Sequence, residues 1–347
     1  MCGRAHTQPH QVMIAISKYR PRRRVATNCS NPSIPKITNL TLAGLHCCIS
    51  LFQFFVLPIY LLPRSPRWGV VLVACALTTT PLWALLHEAI HGVFNASGWV
   101  NGTVGRLLAI CFGSPFHVLR LTHLSHHKFN RASTEKGTEI YDSLKVSRLR
   151  ASVNYFFYIF CGLYWLEVAS IFIFFVPPSV FHRMRRRLFD QGNPQEKWLA
   201  GQFMDETLVR QTHIDGLVIC LILSFSAYCF GRHWLMFAAL LMGRTLLVSL
   251  HDNVYHYGTP VGVAVSGHNL FMPKFFATLV LNFNLHRIHH RHPNVPWIEL
   301  PDYFARQSET YDQNFLIALV NQLCGPIPIS TAPERFQSPQ KIESANS

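Results

Sequence analysis

The sequence predicts an all-α integral membrane protein with about four transmembrane helices, two partial or interfacial helices and a cytoplasmic helical cap. Of its 347 residues, 49% are hydrophobic and only 14% are charged, against about 25% charged in typical soluble proteins. Several apolar stretches approach the roughly twenty residues that a helix needs to cross a bilayer. Nine of the nineteen histidines lie in short clusters at the ends of these stretches or between them. We therefore expect the cap to be rich in histidine.

The predicted spans come in two pairs. The first pair is residues 40–62 and 68–88, and the second is residues 214–231 and 233–250, which turn at Gly231-Arg232-His233. Residues 100–118 are also apolar, but they contain Arg106 and several glycines. That composition favours a partly buried or interfacial segment.

Residues 153–181 are the second partial segment. They are strongly apolar, but Glu167 interrupts them and two prolines close them. If all histidine clusters lie on one membrane face, an even number of crossings must separate them, and the pair 214–250 already supplies two. A further crossing would also place Arg183 and its basic neighbours outside, against the positive-inside rule. We therefore expect 153–181 to enter and return or to lie in the interface, with both termini and all clusters in the cytoplasm.

The remaining composition excludes several classes of protein. The formal net charge is +14, but the basic runs border apolar stretches and no nucleic-acid-binding motif accompanies them, so we expect no nucleic-acid partner. The ten cysteines form no C-x-x-C pair and read as buried thiols. We expect a disordered basic tail over residues 1–35, one membrane domain over 36–327 and a disordered tail over 328–347, with no removable secretory signal.

Three histidine clusters repeat a metal-ligand spacing. Residues three and four apart share one face of a helix, and histidine is the commonest metal-binding side chain. Adjacent histidines diverge by about 100° on a helix, so they can serve two different metals. Eight histidines exceed the needs of one ion, and we predict a two-metal site. The clusters are His87 and His91; His123, His126 and His127; and His286, His289 and His290.

A ninth candidate ligand is His256, just past the fourth predicted span. Asp252 lies four residues earlier and could bind a metal directly, bind it through a water, or hold a histidine tautomer. His251 and His292 adjoin the clusters but are not predicted as ligands. Imidazole suits zinc, copper, iron and nickel alike; a neutral all-histidine shell with open positions favours a redox metal that binds oxygen, with iron as the leading choice by analogy.

These boxes resemble those of the membrane fatty acid desaturase and hydroxylase superfamily over roughly residues 68–305. The order H-x3-H, H-x2-H-H and H-x2-H-H carries the resemblance, and the segment from Asn282 to His290, followed by Pro293, Pro296 and Trp297, is similar to the acyl-lipid desaturase branch. The resemblance implies two irons, O₂ as co-substrate and removal of hydrogen from an unactivated C–H bond. It implies the same eight ligands, and His256 matches an extra histidine used by some members.

The residues that differ from front-end desaturases indicate the subclass, and the cofactor motifs that the sequence lacks indicate the partners. Front-end desaturases usually have Gln at the first position of the third box and a fused haem domain; here that position is His286 and no His-Pro-Gly-Gly motif exists. No flavin, dinucleotide or iron–sulfur motif is present, so electrons must come from outside, from a ferredoxin or from cytochrome b5 with its reductase.

Desaturation of a long acyl chain is the leading hypothesis for function. Hydroxylation or ketolation of a carotenoid or another lipid would use the same kind of site, and so would formation of an acetylenic bond. A membrane metal transporter is the rival from another class. It should place polar ligands near the bilayer midplane, whereas these clusters lie at span ends and in segments predicted to be cytoplasmic.

Overall fold

The computed structural model describes residues 33–131, 139–162, 180, 194–202, 205–263 and 266–330, and most of them are helical. All belong to one compact unit that begins at Ser33. The predicted tails lie almost entirely outside the described residues, and the three-part domain division remains a prediction. The α-helices are α1 Lys36–Leu51, α2 Val71–Leu77, α3 Thr79–His91, α4 Gly98–Phe112, α5 Phe116–Phe129, α6 Arg148–Phe157, α7 Pro194–Gln202, α8 Glu206–Phe230, α9 Trp234–Asn253, α10 Lys274–Leu279, α11 His286–Arg291, α12 Leu300–Arg306 and α13 Phe315–Asn321.

Several helices continue in tighter or wider turns. α1 runs on as a π-helix, Phe52–Leu61, and α6 as a π-helix, Tyr158–Gly162. The 3₁₀ turns are Pro66–Val70, Gly231–His233, Trp297–Glu299 and Gln322–Cys324. Two short strand pairs, both parallel, link distant parts of the sequence: β1 (Ile140–Tyr141) pairs with β4 (Ile327–Pro328), and β2 (Leu270–Phe271) pairs with β3 (Gln313–Asn314).

Three helical stretches of the described residues are long and apolar enough to cross a membrane: Lys36–Leu61, Pro66–His91 and Glu206–Asn253. They contain the predicted span 40–62 except its last residue, and all of 68–88, 214–231 and 233–250. A fourth candidate span is added if α4 and α5, which are bent by 97° relative to each other, count as one broken span. The described residues are mostly helical and contain candidate membrane spans, as predicted, while the number of spans and the cytoplasmic cap remain predictions.

The stretch Glu206–Asn253 reverses direction at its centre. Asp215 on α8 pairs with Arg106 of α4 at 2.6 Å, and Arg244 on α9 donates to the carbonyl of Cys111, also on α4, at 2.8 Å. A straight helix would separate Asp215 from Arg244 by roughly 43 Å, whereas their partners on α4 are about 8 Å apart, at 1.5 Å per residue. The reversal falls at Gly231, whose φ of 48° is not helical, in agreement with the predicted turn.

The predicted partial segment 100–118 divides into two helices. α4 ends because Gly113 takes the left-handed conformation, with φ of 103°, and Pro115, which has no backbone N–H, caps the start of α5. Arg244 caps the last carbonyls of α4 at this bend. Of the other partial segment, residues 153–162 continue α6 and its π-helix, while 163–179 and 181 lie outside the described residues.

The largest apolar core lies directly against the histidines. Trp83, Leu86 and Phe112 from α3 and α4 are buried there, together with Tyr255 and Phe283 from the segments that follow α9 and α10. Trp83 and Phe283 touch the His87 ring, with ring centroids 6.4 and 4.8 Å away. The histidine clusters therefore pack directly against buried apolar side chains, which we call the packed floor.

Candidate metal centre

Four segments of the chain bring the candidate ligands together. α3 ends with His87 and His91 on its last turn, where Gly92 adopts φ of 75° and stops the helix. α5 carries the second cluster and α11 the third. His256 lies in the turn that follows α9. Each cluster is thus fixed by a short helix or by a helix end.

The nine predicted histidines form two groups, in each of which the candidate ligand nitrogens lie within 4.8 Å of one another. Neighbours separate as the helical angle predicts: His126 and His127 point to different groups, and so do His289 and His290. The five-histidine group is His87, His91, His123, His127 and His289, and the four-histidine group is His126, His256, His286 and His290.

The Nε2 atoms form chains of close contacts in both groups. In the five-histidine group, His123 Nε2 lies 3.0 Å from that of His91 and 2.9 Å from that of His127, which in turn lies 3.1 Å from that of His289. In the four-histidine group, His256 Nε2 lies 3.0 Å from that of His126 and 2.9 Å from that of His286. His290 Nε2 is 3.1 Å from that of His286.

These contacts fit a cation better than hydrogen bonds. A ring nitrogen has one in-plane position, so it can donate or accept only one such bond, yet four of these nitrogens each face two others. Nitrogens bound to a first-row metal such as zinc lie about 2.0–2.1 Å from it, so two of them at right angles are about 3 Å apart. His87 Nε2 is buried in the five-histidine group and has no hydrogen-bond partner among the described residues. The residues present therefore fit one metal in each group.

The two groups adjoin each other. The rings of His127 and His290, one from each group, stack with centroids 4.2 Å apart. His126 of the four-histidine group lies 5.9 Å from His127 of the five-histidine group, measured between ring centroids. It lies 5.1 Å from His290, which belongs to its own group. A pair of metals held here would lie side by side in one centre.

Burial also favours the neutral form of the histidine rings, which metal binding requires. For His256 and His286, burial lowers the pKa well below its usual value, and the charges of neighbouring histidines lower it further. The same causes lower the pKa of His289 and His290. These rings are therefore neutral at physiological pH, which is the form that binds a metal.

A buried ion pair holds His256 in place. Arg131 and Glu139 are each 1% exposed and lie 2.7 Å apart. Arg131 donates to the carbonyl of His256, while Glu139 accepts the backbone N–H of Gly258 at 3.1 Å. The pair joins the end of the second box to the turn that carries the ninth histidine. Sequence reasoning missed both residues, because nothing in their local pattern shows that they meet.

The first and third boxes are tied by Glu88. Its buried carboxyl group accepts the backbone N–H of Trp297 at 3.0 Å, and the Trp297 indole donates to Asn39 of α1 at 3.0 Å. Glu88 lies between His87 and His91 in the sequence, so its position was a signal that could have marked it. The link fixes α3 against the segment that follows α11.

A partly buried ion cluster supports α11. Arg287, between the first two histidines of the third box, pairs with Glu309 at 2.6 Å and with Asp312 at 2.5 Å. Burial alone would raise the pKa of Asp312, but its hydrogen bonds with His268 and Arg287 and their charges hold the pKa below its usual value. Asp312 is therefore ionised at physiological pH and contributes to the anchoring of α11.

Asp252, His251 and His292 lie outside both histidine groups. Asp252 lies near enough to His126 for an electrostatic interaction but belongs to neither group. His251, which was not predicted as a ligand, meets the hydroxyl of Tyr255 at 2.9 Å. His292 faces Gln307, away from both groups.

Comparison with known proteins identifies relatives of this arrangement. The sequence model of the family described as fatty acid desaturase matches residues 66–317. A fatty acid conjugase, FAC2 B of Calendula officinalis, is 20% identical over 72% of this chain and 69% of its own length. A Delta(12) fatty acid desaturase of Mortierella isabellina is 34% identical over 26% of this chain and 21% of its own. A sn-1 oleoyl-lipid 12-desaturase of Picosynechococcus is 29% identical over 30% and 29%.

The chain matches only part of the length of several of these relatives. The chain spans 66% of the length of a second conjugase from Calendula officinalis and 61% of that of a Delta(9) fatty acid conjugase-like enzyme from Dimorphotheca sinuata. No solved structure gives a significant match. The family match nevertheless covers well over half of the chain and contains all nine histidines. It confirms the resemblance on which the sequence was interpreted: the chain belongs to the fatty acid desaturase family.

Proposed function

We propose that this protein is an O₂-dependent di-iron desaturase that introduces a double bond into a long fatty acyl chain. The observation that carries the proposal is the pair of adjoining histidine groups, five and four ligands strong, on an apolar helical scaffold. Removing hydrogen from a methylene needs an oxidant that side chains cannot supply, so a bound metal centre must supply it. Two irons activate O₂ for that purpose when they are bound.

Within this proposal the chain's own residues have distinct roles. The five-histidine group would hold one iron and the four-histidine group the other. Asp252 would act through a water or by orienting His126, since it belongs to neither group. Arg131 and Glu139 would keep His256 on its metal, and Glu88 would hold the first box against the segment after the third. The packed floor of Trp83, Phe112 and Phe283 would keep bulk water from the reacting carbon.

Topology and partners complete the proposal. Four crossings with both termini and the metal centre in the cytoplasm agree with the reversal at Gly231 and with the positive-inside rule. Electrons would come from a ferredoxin or from cytochrome b5 with its reductase, because the sequence has no motif for a redox cofactor of its own. Iron, O₂ and a lipid-held acyl substrate are the remaining components.

Formation of conjugated double bonds is the second candidate. Two conjugases and a conjugase-like enzyme match 72%, 70% and 62% of the chain, and the same metal centre would serve. Carotenoid or lipid hydroxylation, ketolation and acetylenic-bond formation would also use it. The transporter hypothesis loses support because the nine ligands gather in one centre at helix ends.

Lipid profiling by mass spectrometry tests the proposal. The chain is expressed in a host with a matching electron donor, beside His289→Ala and a control, His233→Ala, which changes the turn between α8 and α9 outside both groups. We expect new double bonds with wild type and the control and none with His289→Ala. Conjugated dienes would favour the second candidate, and added oxygen would favour hydroxylation. Purified protein that binds no iron would overturn the proposal.

A further inference from the structure

Two short helices on the histidine side have strongly apolar outer faces. On α10, Phe275 is 68% exposed and Phe276 is 55% exposed. On α13, Leu316 and Val320 are 66% and 63% exposed, and Ile317 is 56% exposed. We call α10 together with Phe315–Cys324, which is α13 and its 3₁₀ continuation, the apolar foot. Neither helix of the foot is long enough to cross a bilayer.

A strand pair places the two helices of the foot side by side. β2 and β3 pair in parallel, with Leu270 opposite Gln313 and Phe271 opposite Asn314. α10 begins three residues after β2 at Lys274, and α13 begins directly after β3 at Phe315. Both helices therefore start beside the same strand pair.

The foot lies at the level where α9 ends. Phe315, at the start of α13, contacts His251 and Tyr255, with ring centroids 6.0 and 6.3 Å apart. Gln322, at the other end of the helix, donates to the carbonyl of Leu250 at 3.1 Å and accepts from Asn253 at 2.9 Å. Phe315 and Gln322 are about 10 Å apart along the helix, yet their partners lie within residues 250–255. α13 therefore crosses the end of α9 instead of running along it.

The inner side of the foot belongs to the core beneath the metal centre. Ala277 of α10 and Ala318 of α13 are buried, and Phe315 and Leu319 pack on the core that contains Phe283. A helix that is apolar on its inner and outer sides needs an apolar medium on both. Among the described residues, the protein supplies that medium on one side only.

We infer that the apolar foot is immersed in the hydrocarbon of the bilayer leaflet on the histidine side. The end of a candidate span sets the depth of α13, so its outer face continues the lipid-facing surface of the spans. Lys274 is the one charged residue in these two helices, at the start of α10, where its ammonium can reach the headgroups. A redox protein is steered to its partner by complementary charge, which this surface lacks.

Site-specific photo-crosslinking tests the inference. Benzoylphenylalanine replaces Ile317 or Phe276 in separate full-length variants, so that a folding failure of one leaves the other. The matched control is the same substitution at Asp302, exposed on α12. Each purified protein is reconstituted into dioleoylphosphatidylcholine vesicles and irradiated. Size-exclusion profile and thermal unfolding show that the variant has folded.

We expect phospholipid adducts at Ile317 and Phe276 in at least about ten-fold higher yield than at Asp302. Three results would overturn the inference: lipid yields at the foot no higher than at Asp302, adducts predominantly with a second copy of the chain, or no adduct at either position in folded protein. Because the readout does not involve turnover, the result is independent of whether the acyl-chain desaturation proposed above is correct.

Discussion

The five-histidine group and the four-histidine group are built in different ways. Every member of the five-histidine group lies on α3, α5 or α11, and its i, i+4 pairs follow from helical geometry. The four-histidine group takes three members from α5 and α11 but its fourth, His256, from a turn after α9. Helical spacing alone shapes the first group, whereas the second also needs the long-range ion pair of Arg131 and Glu139. The four-histidine group should therefore be the easier one to disrupt.

The largest expected effect comes from removing one ligand of each group. His256→Ala leaves three ring nitrogens in its group, whereas His91→Ala leaves four, enough for a closed shell. We expect iron content to fall from about two to about one per chain in His256→Ala and to stay closer to two in His91→Ala. Metal analysis of purified protein measures this, with His233→Ala as control. Equal iron loss in the two variants would remove the distinction between the groups.

The next largest effect should come from Arg131→Met. Breaking a buried ion pair by removing one partner costs about 3–5 kcal/mol, and loss of a residue that orients a metal ligand typically weakens metal binding by about 10–100-fold. We expect a lower melting temperature and weaker binding of one of the two irons. Thermal unfolding and iron titration measure the two effects separately.

The double variant Arg131→Met with Glu139→Leu distinguishes stability from positioning. An apolar pair can replace a buried ion pair at little cost in stability, so the melting temperature should recover. The Gly258 N–H then lacks its acceptor, and the His256 carbonyl keeps its bonds from Thr259 but loses the one from Arg131, so weak iron binding should persist. Recovery of both would show that the ion pair acts on stability alone.

Glu88→Ala should weaken iron binding by about ten-fold, because it removes the acceptor for the Trp297 N–H. Glu88→Gln keeps an oxygen acceptor at the same place and should bind iron nearly as well as wild type. Iron titration compares the two. A glutamine variant as weak as the alanine variant would show that the charge of Glu88, and not its hydrogen bond, is needed.

The smallest effect should come from Asp312→Asn, which weakens the ion cluster that anchors α11. Because the pKa of Asp312 is lowered in the folded state, the stabilisation is fully present above the unfolded value of about 3.9 and is lost as pH falls through the folded value. We expect the variant to lose about 1 kcal/mol at neutral pH and to show a flatter stability profile below pH 4. A profile parallel to wild type would contradict this role.

Much of the metal centre could be predicted from the sequence, because its ligands recur at helical spacings that can be read locally. The divergence of His126 from His127, and of His289 from His290, follows directly from the angle between adjacent residues on a helix. The turn at Gly231 was also readable, since glycine and a basic pair interrupt a long apolar run.

Other features depend on contacts between distant parts of the chain. Arg131 meets Glu139 and His256 only because α5 and the turn after α9 pack together, and no periodicity records that. The sharp bend between α4 and α5 depends on Gly113, on Pro115 and on Arg244, which reaches it from another helix. The apolar foot escaped prediction because its two helices are too short to register as spans.

Anomalous diffraction at the iron edge from crystals of the purified protein tests the central claim most directly. We expect two iron peaks in adjoining positions, one surrounded by the five-histidine group and the other by the four-histidine group. A single peak, or iron bound by residues outside these nine histidines, would contradict the account.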